Sequence, residues 1–325
     1  MPGLRLVDVS KPEWLEHIQK TNFQNYVKGS LFHSVMTDVF GNGIFVTDGR
    51  QIKSACETLH RYSSSLIDER LASFDLGAQA YEETPTDLLG FFLRIRKELD
   101  GDLVEQEIKD AFLNLIIAGR DSTGEALTWA FYHLMMNKDL VAKIREEASQ
   151  ITGQDRAGHV TYENNKEFKW AHAVVLEALR LHPSIPKNIR FALKPDKIPG
   201  GPVIEAGDAV RWSDWSIARD PEVWGEDCLE FRPARWIDEN GNIKQFSQFK
   251  FHAFNGGPRV CLGMNFAIFQ FDLEYAPEWL KQVPNSPIIG DSSSTLYQTP
   301  TYKPSLTLPM AHPIMVTIKA YHGRS

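Results

Sequence analysis

The pattern of apolar and polar positions predicts a mainly helical chain. Pro12 to Lys20 reads as a short helix, and Asn22 to Gly49 as a turn-rich stretch. Leu88 to Leu99 is apolar at helical spacing. A long helix is predicted from about Leu103 to Met136. Asp102 is placed to cap it, and Glu105, three residues on, completes a capping box. Trp170 to His182 reads as another helix, stopped by Pro183, which cannot donate to a helical ladder. Ile198 to Val210 is turn-rich with short strands, and Met264 to Tyr275 is again helical. Pro277 shortens that last helix, and Ser286 to Thr299 reads as loop. No run approaches the roughly 20 apolar residues of a membrane span.

Composition narrows the classes. The 325 residues suffice for a large core and one or two domains. A net charge of −7 with 11% aromatics reads as an ordinary globular chain rather than a nucleic-acid binder. Three cysteines (Cys56, Cys228 and Cys261) are too few and scattered for a disulfide framework or a zinc site, which suits a reducing compartment. Met1 to Ser10 has no apolar stretch of signal length. Gly41-Asn42-Gly43 is half of a dinucleotide fingerprint, but Val46 stands where its third glycine belongs.

The chemistry concentrates in Phe254-Asn255-Gly256-Gly257-Pro258-Arg259-Val260-Cys261-Leu262-Gly263. Each part has a physical reason if Cys261 is an axial ligand to heme iron. A thiolate pushes electron density that favours O–O cleavage. The start of the following helix supplies partial positive charge to hold that thiolate. Gly257 and Gly263 would let the backbone pass close to a flat macrocycle. Arg259 could reach a propionate, and Phe254 could shield the sulfur from water. The plain alternative is a buried free cysteine before an ordinary helix.

Those residues spell F-x-x-G-x-R-x-C-x-G, and the chain resembles the cytochrome P-450 family at every fixed position. The resemblance implies a mainly α fold with a long central helix, small β-sheets and a cysteine heme-binding loop. Ala118-Gly119-Arg120-Asp121-Ser122-Thr123 resembles the family's central-helix motif, whose small pair leaves a groove for dioxygen. By that resemblance Asp121, Ser122 and Thr123 relay protons. Ser122 stands where threonine is usual; it keeps the hydroxyl and loses the methyl that fixes the rotamer.

Glu177 and Arg180 share a helix face, which by itself reads as an exposed ion pair worth little. They also match the family's E-x-x-R. Phe231-Arg232-Pro233-Ala234-Arg235-Trp236 resembles the later loop whose arginine, here Arg235, completes a buried structural bracket. Arg190 is a second propionate candidate or else a surface charge. Ser305 to Met310 resembles a C-terminal hairpin lining the substrate pocket.

The chain also departs from the family. The Trp-x-x-x-Arg pair that touches the propionates has no counterpart after Asp48-Gly49-Arg50-Gln51, and Leu59 to Leu76 looks like later helices arriving early. Residues 1–325 thus read as one incomplete domain, with roughly a hundred family residues and the usual N-terminal anchor missing. What the resemblance implies is a monooxygenase acting on a hydrophobic substrate, a fatty acid or n-alkane by its closeness to fungal hydroxylases. Its cofactor would be heme b (iron protoporphyrin IX), with electrons from an NADPH–cytochrome P-450 reductase at the endoplasmic reticulum membrane. The alternative is a non-catalytic heme-binding remnant.

Overall fold

The structure is a computed structural model that describes residues 4–40, 45, 105–152 and 164–268. The expectations for Leu59 to Leu76, Leu88 to Leu99, Asp102 and the segments beyond residue 268 fall outside the described residues. Helices dominate. They are α1 (Pro12–Glu16), α2 (Gly29–Phe40), α3 (Glu105–Met136), α4 (Lys138–Thr152), α5 (Lys169–Leu181), α6 (Asp214–Ile217) and α7 (Pro221–Trp224). The strands are β1 (Leu6–Val9), β2 (Tyr26–Val27), β3 (Lys187–Ala192), β4 (Asp196–Lys197), β5 (Val203–Ile204) and β6 (Ala209–Ser213). One sheet has the order β1-β6-β3-β2, and β4 and β5 form a hairpin. This is the mainly helical class with small sheets that the pattern predicts.

Two local expectations need correction. Pro12 to Lys20 is not one α-helix: after Glu16 the backbone widens into a π-turn, His17–Thr21, which buries Ile18 and Gln19. The turn-rich stretch contains a twelve-residue helix, α2. Its apolar positions (Leu31, Phe32, Val35, Met36, Val39 and Phe40) recur at helical spacing behind a glycine that reads as a turn signal.

The chain divides into two compact units, Met1–Val7 with Asn22–Gly119 and Ile189–Val210, and Asp8–Thr21 with Arg120–Asn188 and Arg211–Ser325. In the first, β2 pairs antiparallel with β3, Tyr26 opposite Ala192 and Val27 opposite Phe191. Gly29 follows at φ +78°, where a Cβ would stand 2.9 Å from the Phe191 ring, so the entry into α2 needs glycine. The Tyr26 hydroxyl and the Asn22 amide both donate to Asp196, at 2.6 and 2.9 Å.

In the second unit, α3, α4 and α5 share one core. Ala126, Ala130 and Leu134 of α3 meet Ile144 and Ala148 of α4 and Val174 and Ala178 of α5, all buried. The four-residue steps put these positions on one face of each helix. Each fully buried leucine or isoleucine in such a core contributes about 1.5–3 kcal/mol. Phe168, at the N-cap of α5, supplies no side-chain cap. Glu147 of α4 does so instead, accepting from the Trp170 and Ala171 backbone N–H groups at 2.9 and 3.3 Å. Burial pushes its carboxyl up, and those N–H groups oppose the shift.

Three histidines sit in this unit where burial disfavours their charge. His182 stacks on Trp129 with ring centroids 3.8 Å apart, and its Nε2 lies 2.9 Å from Nε2 of His133. Burial lowers His133 and His172 from 6.5 to about 4, and His182 well below the ordinary value. The folded state therefore binds fewer protons than the unfolded chain, and its stability is present above pH 6.5 and lost as pH falls toward 4. The raised Glu147 carboxyl works the other way, but it is one group against three. The expected result is a melting temperature that declines steadily from pH 6.5 to pH 4, read by a thermal scan at each pH. A flat profile would mean that these rings are hydrated in solution.

Candidate heme-thiolate site

The Cys261 loop is closed by backbone bonds. The Cys261 N–H donates to the Phe254 carbonyl at 2.8 Å and the Val260 N–H to Gly257 at 3.1 Å, across a 3₁₀ turn, Gly257–Arg259. The helix after the loop is described over 264–268. Phe254 is half-buried, meets Phe251 edge-on at 6.2 Å, and packs with Ala253 and Ala267 against the core of α3, α4 and α5. Arg259 is half-buried.

Cys261 is exposed, not a buried core thiol. The surrounding protein still raises its thiol, and only the Gly263 N–H pulls the other way.

The glycines are explained differently than the sequence suggests. Gly257 has φ +64°, and a Cβ there would lie 2.2 Å from the backbone oxygen of Gln19. Its close approach is to the π-turn. A Cβ on Gly256 would lie 2.6 Å from the Phe249 ring, whereas one on Gly263 would be 4.0 Å from the Cys261 sulfur, an ordinary contact.

Does this loop suit heme? Among the described residues no three His, Cys, Asp or Glu side chains converge on a point. A lone thiol suits a cofactor that brings four nitrogens of its own and needs one axial donor. Phe266, five residues past the thiol, is 63% exposed. The segment thus leaves a sulfur and, further along it, an aromatic ring open to a ligand. The residues fit.

On α3, Asp121 is exposed, and Ser122 and Thr123 are half-buried. A Cβ at Gly119 or Gly124 would meet nothing within 4 Å, so this turn has an open face. Ser184, just after α5, donates its hydroxyl to the Ser122 carbonyl at 3.0 Å and pins the turn. The Thr128 hydroxyl bonds back to its own helix, to the Gly124 carbonyl at 2.7 Å. Ala126, four residues beyond Ser122, lies in the same core cluster as Phe254 and Ala267. The cysteine loop and the central helix are thereby held by one packed unit.

Glu177 and Arg180 are not a surface pair. Glu177 is fully buried, Arg180 is 2% exposed and Arg235 is 7% exposed. Glu177 accepts from Arg180 Nε and Nη2, from Arg235 Nε and from the Arg232 backbone N–H, each at 2.9 Å. The Trp236 indole adds a fifth bond at 2.8 Å. Arg180 spends its remaining donors on the Ala218, Cys228 and Glu230 carbonyls at 2.6, 2.8 and 3.0 Å. Asp227 closes the charge balance at 3.2 Å from Arg235. Sequence reasoning identifies the three charged residues and misses Trp236 and Asp227. The adjacency of Trp236 to Arg235 was the available signal.

Arg190 belongs to the first unit, whereas all the other site residues belong to the second. It is buried, 6% exposed, which excludes a surface charge, and its guanidinium donates to the Ile189 carbonyl at 2.7 Å.

Comparison with known proteins agrees with the loop. The family model for Cytochrome P-450 matches residues 9–274. Cytochrome P-450 monooxygenase cyp1 of Mycosarcoma maydis is 29% identical, covering 97% of this chain and 68% of its own length. Alkane hydroxylase MAH1 of Arabidopsis thaliana is 30% identical over 83% of this chain and 51% of its own length. Cytochrome P-450 52-N1 of Starmerella bombicola is 36% identical over 51% of this chain and 34% of its own length. The chain thus spans about two thirds of the first of these, half of the second and one third of the last. The first alignment runs over 449 residues, longer than this 325-residue chain, so it opens gaps in it. The family model matches most of the chain, which therefore belongs to the cytochrome P-450 family.

Proposed function

We propose that this chain is a heme-thiolate monooxygenase of a hydrophobic substrate, in the fatty-acid or alkane class. In balance, a C–H bond and O2 take two electrons and two protons and give a C–OH group and water. When bound, heme would supply the redox chemistry, with Cys261 as its axial thiolate. The observation that carries the reading is the exposed thiol on a loop packed against the core that the central helix shares. The substrate class rests on relatives named for alkane hydroxylation and on nothing in the described residues. Electrons would come from NADPH through a reductase, on the endoplasmic reticulum membrane. No described helix is long and apolar enough to cross a membrane.

The chain's own residues would do four things. The Cys261 loop presents one sulfur. Phe254 shields it from water. The Glu177 cage keeps the scaffold behind it rigid, and the open turn at Asp121 and Ser122 holds protons where oxygen is reduced. A carbon monoxide difference spectrum of the reduced, heme-loaded protein tests the ligand. NADPH use matched by hydroxylated product, with a reductase and a series of chain lengths, tests the reaction.

The second reading is a heme-binding remnant, favoured by an alignment that needs gaps in this chain. Asp121→Asn separates the two. In an active enzyme it should leave heme binding unchanged, cut turnover by about 10²-fold and divert reducing equivalents to hydrogen peroxide. Product and peroxide are both counted. A parent protein that binds heme but shows no substrate-dependent NADPH use would favour the remnant.

A further inference from the structure

His252 stands two residues before Phe254 and takes no part in the site described above. It is buried, 4% exposed, with Trp212 edge-on at 6.1 Å. Its Nδ1 lies 2.7 Å from a carboxylate oxygen of Asp214, at the start of α6. Its Nε2 lies 2.6 Å from the side-chain oxygen of Gln19, in the buried π-turn. Gln19 in turn donates its amide to the side-chain oxygen of Asn255 at 2.7 Å.

The direction of every bond follows from one fixed group. The Gly256 backbone N–H can only donate, and it points at the Asn255 side-chain oxygen at 3.2 Å. That orients the Asn255 amide. Gln19 must then present its N–H to Asn255, which leaves its oxygen toward His252. Asp214 offers a carboxylate oxygen on the other side. His252 Nε2 therefore faces the Gln19 oxygen while its Nδ1 faces the Asp214 carboxylate, which clamps the ring between α6 and the π-turn.

The far end of this chain is the cysteine loop. Asn255 has φ +64°, an αL conformation that asparagine adopts more readily than other side-chain-bearing residues. The same Gln19 carries the backbone oxygen that excludes a Cβ at Gly257. One residue of the π-turn thus touches the loop twice, through its side chain at Asn255 and through its backbone at Gly257.

We propose that His252 is a positioning residue for the Cys261 ligand loop, acting through Gln19 and Asn255. The proposal rests on the reading of Cys261 as the heme ligand. His252 anchors Gln19 in the one amide orientation that can donate to Asn255. Asn255 then sets the αL corner from which the Gly257 turn and Cys261 follow. The π-turn has a use on this view: widening the helix at His17–Thr21 brings Gln19 side chain and backbone to the loop together.

The test uses the full-length chain, and one readout needs no heme. Amide hydrogen exchange over 254–263 is followed in the ligand-free protein. The red-shifted Soret band of the reduced carbon monoxide adduct is followed after heme loading. Gln19→Glu keeps an oxygen toward His252 but has no N–H for Asn255. It should speed exchange in 254–263 roughly tenfold, leave α4 unchanged and shrink the thiolate share of the band. His252→Ala should do the same. His252→Gln, which keeps an N–H toward Gln19, should restore part of both signals. If Gln19→Glu and His252→Ala leave exchange and band as in the parent, the proposal is wrong. A parent protein that loads heme without the thiolate band would overturn the ligand reading and, with it, the claim on Cys261. Exchange that then still quickened in the variants would locate the failure in the ligand and not in the clamp.

Discussion

Replacing Cys261 with alanine is expected to abolish the thiolate signature of the heme-loaded protein completely and to reduce turnover to background. Among the described residues the other cysteine cannot substitute. Cys228 is buried in a separate cluster with Trp224 and Trp236, its thiol bonded to the Arg219 carbonyl at 3.2 Å. Cys228→Ala and Cys56→Ala should therefore leave the spectrum intact. Heme content may be compared in the same samples, because loss of the axial sulfur weakens binding without removing the apolar face that covers the macrocycle. A Cys261→Ala protein that kept the red-shifted carbon monoxide band would refute the ligand assignment.

Glu177→Ala carries the largest expected cost in stability. The substitution would strand two buried guanidiniums, remove the acceptor of the Trp236 indole and leave the Arg232 backbone N–H unpaired. Breaking a buried ion pair by removing one partner costs about 3–5 kcal/mol, because the remaining charge stays buried. That is a large share of a typical domain's stability of about 5–15 kcal/mol. Loss of soluble protein and of heme is expected, not a changed substrate range. Arg180→Lys should cost nearly as much, since an ammonium cannot reproduce five bonds from a planar fork. Arg235→Lys is expected to be milder, because Asp227 and Glu177 can still share one cation. The checks are the soluble yield, the denaturant midpoint and the heme absorbance of each variant. A Glu177→Ala protein with the parent's midpoint would show that water enters the cage.

The two predictions lean on different kinds of information. The cysteine-loop motif is legible because it is local: its residue types stand at fixed short spacing. The E-x-x-R pair is legible for the same reason, one helical turn apart. The helices α3 and α5 follow from apolar periodicity and, for α5, a proline stop; α3 ends at Met136 as expected, and both ends of α5 fall within one residue of the expected ones. Helix α2 was obscured because glycine punctuates both turns and helix starts, and only the φ of Gly29 against Phe191 resolves which is meant.

Residue types and spacing supply an inventory: one cysteine in a glycine loop, an acid and hydroxyls on a long helix, a glutamate and two arginines at telling distances. Folding settles which of them meet. Gln19 and Asn255 lie 236 positions apart, and no local preference joins them. The reason Gly257 must be glycine is a backbone oxygen of that distant turn, which has no signature in residue type. Arg180 satisfies three of its donors on main-chain carbonyls, which every residue carries and which therefore mark nothing in the sequence. Local spacing encodes chemistry that one element can carry alone. Burial, charge balance and close approach belong to segments that meet only after folding, and their partners become visible only then.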